Sequence, residues 1–204
     1  MNRRLITLVW AGVLAQATVA GPIVYDSVYR EVFAFAARSD TAALGPWDAS
    51  VEVWEGEPPV RAWAGQESYV DSSVIYVDAS VDGPDDPHYP VDCGSSLQAS
   101  FHVEAPYAVV LTGDWSKWLT YGTVEIVLEE NEAAVFSAGG IGEGDFHHTL
   151  TLDPCNAYEL RVRASCPLPC PTYYAPRCTF HLDPVPEPAS FSLLALSCLL
   201  LRRR

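Results

Sequence analysis

Asp145-Phe146-His147-His148-Thr149-Leu150-Thr151-Leu152 runs into Asp153-Pro154-Cys155-Asn156-Ala157, and then into Tyr158-Glu159-Leu160-Arg161-Val162-Arg163-Ala164. In the last segment apolar Leu160, Val162 and Ala164 alternate with Glu159, Arg161 and Arg163. That period of two places one set of side chains on each face of a strand. The middle segment holds Asp, Pro and Asn, residues that close turns through fixed φ or local hydrogen bonds. Two strands joined by a tight corner are therefore expected.

The same reading extends outward from that corner. Ile23 to Phe35 is apolar and aromatic with partial alternation. Ser50 to Trp54 and Val60 to Trp63 form a candidate hairpin around Glu55-Gly56-Glu57-Pro58-Pro59. Tyr69 to Val77 is rich in Val and Tyr, and Asp82 to Pro90 is a Pro/Asp-rich loop. Ser100 to Glu104, Tyr107 to Thr112, Thr123 to Leu128 and Ala134 to Phe136 are short apolar runs. Pro106, Gly113-Asp114 and the acidic turn Glu129 to Glu132 separate them. Gly139, Gly140, Gly142 and Gly144 read as a flexible link. Helical periodicity is scarce throughout. Short strands at this spacing imply an all-β chain folded as a β-sandwich, immunoglobulin/fibronectin-III-like or jelly-roll.

Leu152-Asp153-Pro154-Cys155-Asn156-Ala157-Tyr158 resembles the E–F corner of fibronectin type III domains. There Leu, Pro, two turn residues and Tyr precede a strand. The resemblance implies that the phenol of Tyr158 bonds back to the backbone of the corner and pins a crossover between sheets. Cys155 departs from the pattern, since glycine often holds that place.

Twelve basic and 26 acidic residues give the 204-residue chain a formal charge of −14. Five of the basic residues lie at the ends, which leaves 7 basic against 25 acidic residues between 21 and 186, a formal −18. Such a body is repelled by phosphate backbones and by anionic lipid, which excludes nucleic acid as a partner.

The chain starts Met1-Asn2-Arg3-Arg4, continues with the apolar run Leu5 to Leu14, and then offers Ala15-Gln16-Ala17 and Thr18-Val19-Ala20. Basic, apolar and small-residue regions in that order read as a signal peptide, 1–20, with cleavage expected after Ala20. Export puts the cysteines in an oxidising compartment. The other end reads Val185-Pro186-Glu187-Pro188, an uncharged run Ala189 to Leu201, and Arg202-Arg203-Arg204. Two prolines keep the tripeptide out of regular structure. The apolar run enters a bilayer as a transmembrane sorting helix, and the arginines stop it on the cytoplasmic side.

This tail resembles the PEP-CTERM sorting signal of Gram-negative bacteria. The resemblance covers about the last twenty residues, and it implies an exosortase that recognises Pro186, Glu187 and Pro188 and cleaves near them. The released body then goes to the cell surface or extracellular matrix, often in strains that make exopolysaccharide. One departure is the anchor's length, since thirteen residues make only about 20 Å of helix. The chain thus divides into signal peptide (1–20), β-sandwich body (21–164), Cys/Pro-rich linker (165–184) and sorting signal (185–204).

Among the cysteines, Cys198 lies in the anchor, and Cys93, Cys155, Cys166, Cys170 and Cys178 belong to the exported part. Disulfides are expected, with Cys93 to Cys155 and Cys170 to Cys178 as the preferred pairs and Cys166 left over. Cys166, Cys170, Cys178 and His181 also have the ligand types of a zinc site, but exported thiolates are oxidised first. His147 and His148 face opposite sides of a strand and cannot share one ion. Asp82, Asp85, Asp86 and Asp92 offer oxygen ligands to Ca²⁺ without the spacing of an EF-hand loop; no cofactor is expected. Trp115 and Trp118 flank a turn and offer indoles to sugar rings. There is no Gly-x-Ser-x-Gly elbow, His-Glu-x-x-His or phosphate loop. Acids are too numerous for a hydrolytic pair to stand out. The sequence therefore reads as a non-enzymatic surface or matrix protein, structural or adhesive, with a membrane-anchored precursor. A carbohydrate-binding module is the alternative, and a secreted hydrolase the less favoured third reading.

Overall fold

The computed structural model describes residues 22–55, 60–82, 92–117, 122–166 and 176–185. The signal peptide, the sorting tail with Pro186, Glu187, Pro188 and Arg202 to Arg204, Cys170, Trp118, Asp85 and Asp86 lie outside them. The described residues contain strands and turns and no helix. The strands are β1 (Ile23–Ala34), β2 (Ala37–Thr41), β3 (Gly45–Glu55), β4 (Val60–Val70), β5 (Ile75–Asp82) and β6 (Cys93–Val103). They continue as β7 (Tyr107–Lys117), β8 (Thr123–Glu130), β9 (Ala133–Gly139), β10 (Gly142–Leu152), β11 (Tyr158–Cys166) and β12 (Arg177–Pro184).

Two antiparallel sheets result, ordered β2-β1-β6-β11-β8-β9 and β10-β7-β12-β5-β4-β3. This is the all-β, two-sheet architecture expected of a sandwich. From β5 onward the pairing is nested. β8 pairs with β9, β7 with β10, β6 with β11 and β5 with β12. β1 to β4 extend the two sheets from their β6 and β5 sides.

Alternation drives the burial. In β5, Ile75, Val77, Ala79 and Val81 are buried and the residues between them are not. β6, β11 and β12 do the same through Leu97, Ala99 and Phe101; Leu160, Val162 and Ala164; and Phe180 and Leu182. These inward faces close a large apolar cluster between the sheets. A second, smaller cluster holds Val32, Ala34, Ala62, Ala64, Val81, Cys93 and Cys166.

The corner between β10 and β11 has the expected bond. The Asp153 N–H donates to the Tyr158 hydroxyl at 2.6 Å, and that hydroxyl donates to Glu130 Oε1 at 2.9 Å. Because β10 and β11 belong to different sheets, this phenol pins a crossover. Cys155 is not among the non-glycine residues at positive φ, so glycine is not required there.

Three local expectations need correction. The run from Tyr69 to Val77 is two strands. Asp71 Oδ1 accepts the N–H groups of Ser73 (2.7 Å) and Val74 (2.8 Å), an Asx turn that reverses the chain between β4 and β5. Gly139 closes β9 and Gly142 opens β10, so the glycine-rich stretch is a tight crossing between sheets. Gly139 has φ +126°, and a Cβ there would meet the Val124 carbonyl oxygen at 2.3 Å. Finally, the linker expected over 165–184 is partly sandwich. Arg177–Pro184 is β12, between β5 and β7, and alternation of Cys178, Phe180 and Leu182 inward explains its place. The body therefore runs to Pro184.

Candidate functional site

The outer face of the second sheet carries the most concentrated polar chemistry. Register decides which side chains meet there. Asp48 on β3 lies opposite Glu67 on β4, Glu67 opposite Asp78 on β5, and Asp78 opposite Thr179 on β12. Thr179 lies opposite Asp114 on β7, which lies opposite Asp145 on β10. Five carboxylates and one threonine thus form a row across all six strands. Like charges directly opposite one another on a sheet repel, so the row costs stability. Thr179 Oγ1 donates to Asp114 Oδ2 at 2.7 Å, and the Asp114 N–H donates back to Thr179 Oγ1 at 3.1 Å.

One step along the strands, Arg177 forks onto Asp78, with Nε to Oδ1 at 3.3 Å and Nη2 to Oδ2 at 2.9 Å. The hydrogen bond and charge of Asp78 raise the guanidinium pKa above its ordinary value. Arg61 bridges Glu52 (2.8 Å) and Asp82 (3.2 Å) near the far end of β4. Between these pairs lies Trp63, whose indole rests over Gly65. A Cβ at Gly65 would meet that ring at 2.4 Å, so only glycine lets it lie against the sheet. Asp48, Trp63, Gly65, Glu67, Asp78 and Arg177 line a hollow of about 490 Å³. On the same face Tyr76 packs against His181, ring centroids 4.7 Å apart. A flat aromatic surface beside forked charges and carboxylates offers both a stacking plane and hydrogen-bond acceptors.

Trp115 is elsewhere. It pairs across the ladder with Gly144 and Cys178 and faces inward, where its ring overlies Gly144 and stacks with Phe146 at 6.5 Å. Its Nε1 is buried. The structure thus assigns Trp115 to the edge of the core rather than to an exposed sugar platform, because its strand parity matches Leu111 and Val109. Trp63 was missed in the sequence, although the pattern Trp63-Ala64-Gly65, with a small residue two positions on, marks where a ring can lie on a strand.

Cys93 and Cys155 are not paired as expected. In the β6–β11 ladder Phe101 is opposite Tyr158 and Cys93 opposite Cys166. Cys155 sits in the corner just before Tyr158, so it and Cys93 occupy opposite ends of the ladder, about 25 Å apart at roughly 3.3 Å per residue. Cys178 is buried on β12, and burial, then Asp78 and Asp114, push its thiol pKa up to about 12. Its expected partner, Cys170, is outside the described residues. Asp82 is engaged with Arg61 and Asp92 lies exposed before β6. Among the described residues no group of three or more His, Cys, Asp or Glu side chains is placed to hold a metal ion. His147 and His148 fall on successive positions of β10, and His148 stacks on Phe136 at 5.6 Å.

No protein-family model matches this chain, and no curated protein sequence matches it significantly.

Proposed function

We propose that this is an exported PEP-CTERM protein, sorted by an exosortase to the cell surface or matrix, where its body has a structural or adhesive role and no catalytic one. The observation that carries this reading is the order Pro186-Glu187-Pro188, apolar run, Arg202-Arg203-Arg204, in a chain that starts Met1-Asn2-Arg3-Arg4 followed by the apolar run Leu5 to Leu14. The fold supports it. The Val185 N–H donates to the Ala108 carbonyl at 3.0 Å, so the folded body extends to the residue before the tripeptide. The nested pairing of β5 with β12, β6 with β11, β7 with β10 and β8 with β9 supports a jelly roll over the immunoglobulin-like alternative, because it is one long hairpin rolled across two sheets. Exopolysaccharide is the partner this location implies.

The test is fractionation of a tagged body between membrane and extracellular matrix in a host with and without exosortase. Glu187→Ala, or deletion of Pro186 to Pro188, is expected to hold the body in the membrane fraction. Release equal to wild type would overturn the sorting reading.

A second reading, carbohydrate binding, is favoured by the Trp63 hollow. Its carboxylates repel uronic acids and sulfated sugars, so the ligand class is a neutral or amino-sugar glycan. Binding on a glycan array that survives Trp63→Ala would remove this site from consideration.

A further inference from the structure

We propose that Cys93 and Cys166 are joined by a disulfide in the mature protein. They begin β6 and end β11, and they are directly opposite in the antiparallel register. Opposed residues in such a pair have Cα atoms about 4.5–5.5 Å apart, inside the roughly 4.4–6.8 Å that disulfides span. Residues opposite one another also point to the same face, and here both side chains are fully buried in the same cluster. The Cys93 Sγ lies 4.0 Å from the Cys166 carbonyl oxygen. The alternatives within the described residues are poorer. Cys155 is at the other end of the ladder, and Cys178 is on the other sheet, opposite Ala79 and Trp115.

The place is also one that needs a cross-link. Apart from the two cysteines, the buried members of this cluster are Val32, Ala34, Ala62, Ala64 and Val81, none larger than valine. A bond between residues 73 apart in sequence removes freedom from the unfolded chain at a place whose fully buried side chains are small.

Both thiols are closed off in the folded body, so the bond forms during folding, when they are accessible. The reaction needs a disulfide oxidant. One cysteine thiolate attacks its S–S bond to give a mixed disulfide, and the second cysteine displaces the remaining thiol. Two cysteine thiols and one oxidant disulfide become one protein disulfide and two oxidant thiols, which keep the two protons. The proposal does not depend on the sorting reading, because an oxidised/reduced glutathione mixture supplies the oxidant in vitro.

The experiment refolds the full chain from denatured, reduced protein in that mixture, blocks remaining thiols with an alkylating agent, and maps tryptic peptides without reduction. The expected product links peptide 62–117, which contains Cys93, to peptide 164–177. Fragmentation then separates Cys166 from Cys170 within the second peptide. The shift in gel mobility on reduction should be lost in Cys93→Ala and in Cys166→Ala, and kept in Cys155→Ala and Cys178→Ala. Should either loss variant fail to fold, the wild-type peptide map decides alone. Alkylated Cys93 and Cys166, or a link from either to Cys155, Cys170 or Cys178, would overturn the proposal.

Discussion

The two buried clusters of this sandwich are built on different principles. The larger one uses large side chains: Phe101, Phe180, Leu111, Ile126 and Leu160 are fully buried in it. The smaller one, at the far ends of β1, β4, β5, β6 and β11, buries only alanine, valine and cysteine, with Phe35 and Trp47 packed partly exposed against them. Between them runs a buried polar seam. Arg30 donates to the Gly45 carbonyl (2.9 Å), to the Ala43 carbonyl and to Ser68 Oγ (3.3 Å). Gln66 Nε2 donates to that same Ser68 oxygen at 3.2 Å, and Ser95 Oγ donates to Gln66 Oε1 at 3.1 Å. No carboxylate forms an ion pair with Arg30 among the described residues, and the Trp47 ring lies 5.6 Å from its guanidinium carbon. Large apolar residues hold one region by area removed from water. The other is bordered by a hydrogen-bonded seam, in which the buried Arg30 Nε is left without a partner, and, on the proposal above, is held by a covalent bond.

The comparison predicts unequal costs. Phe101 packs on Tyr25 at 5.9 Å and Tyr158 at 5.5 Å. Phe101→Ala is expected to remove about 4 kcal/mol of stability through lost burial and a residual cavity. Denaturant unfolding checks it, and hydrogen exchange should accelerate in both sheets together. A loss under about 1 kcal/mol would mean that the larger cluster is not the tight core described here.

Arg30→Met keeps an apolar stem of similar length and removes the donors, stranding the Gly45 and Ala43 carbonyls. A loss of about 2 kcal/mol is expected, from buried acceptors left without partners. Faster exchange should be confined to Gly45–Glu55 and its partner β4. Charged seams can be replaced by apolar packing without loss in some proteins. If Arg30→Met is neutral or stabilising, the seam is not what holds this end.

The larger cluster was legible in the sequence and the seam was not, for a physical reason. Alternation in Tyr158 to Ala164 and the corner before it act over a few residues, so strand, parity and crossover could be read locally. Arg30 sits at an inward position of β1 in an otherwise apolar run, and its acceptors come from Ala43 between β2 and β3, from Gly45 at the start of β3 and from Ser68 on β4. Those are long-range facts of register. The same limit misassigned Trp115 and Cys93. Each needs the partner strand before its face or its neighbour is known. β12 was hidden because its inward Cys178, Phe180 and Leu182 follow a proline-rich stretch that reads as linker. The hollow beside Trp63 needed four strands in register before it existed.

The smallest effect belongs to a turn at the edge of the larger cluster, flanked by its members Val70 and Ile75. Asp71 turns the chain from β4 into β5. Its Oδ1 caps Ser73 and Val74, its Oδ2 accepts from the Tyr69 hydroxyl at 2.9 Å, and its carbonyl accepts from the Tyr25 hydroxyl at 2.8 Å. Partial burial works to raise the carboxyl pKa, but the N–H and O–H donors outweigh it and leave the pKa below its ordinary value. A depressed folded-state pKa means that these bonds contribute stability above the unfolded carboxylate range, and that the contribution disappears as pH falls through the folded pKa. Asp71→Ala is therefore expected to cost about 1 kcal/mol at neutral pH, the scale of a lost turn cap. The difference from wild type should narrow on acidification and should not change between neutral and mildly alkaline pH. Unfolding of both proteins across that range measures it. A gap that widened in acid would show that Asp71 is not held as the carboxylate, and the turn would then owe its shape to the serines beside it.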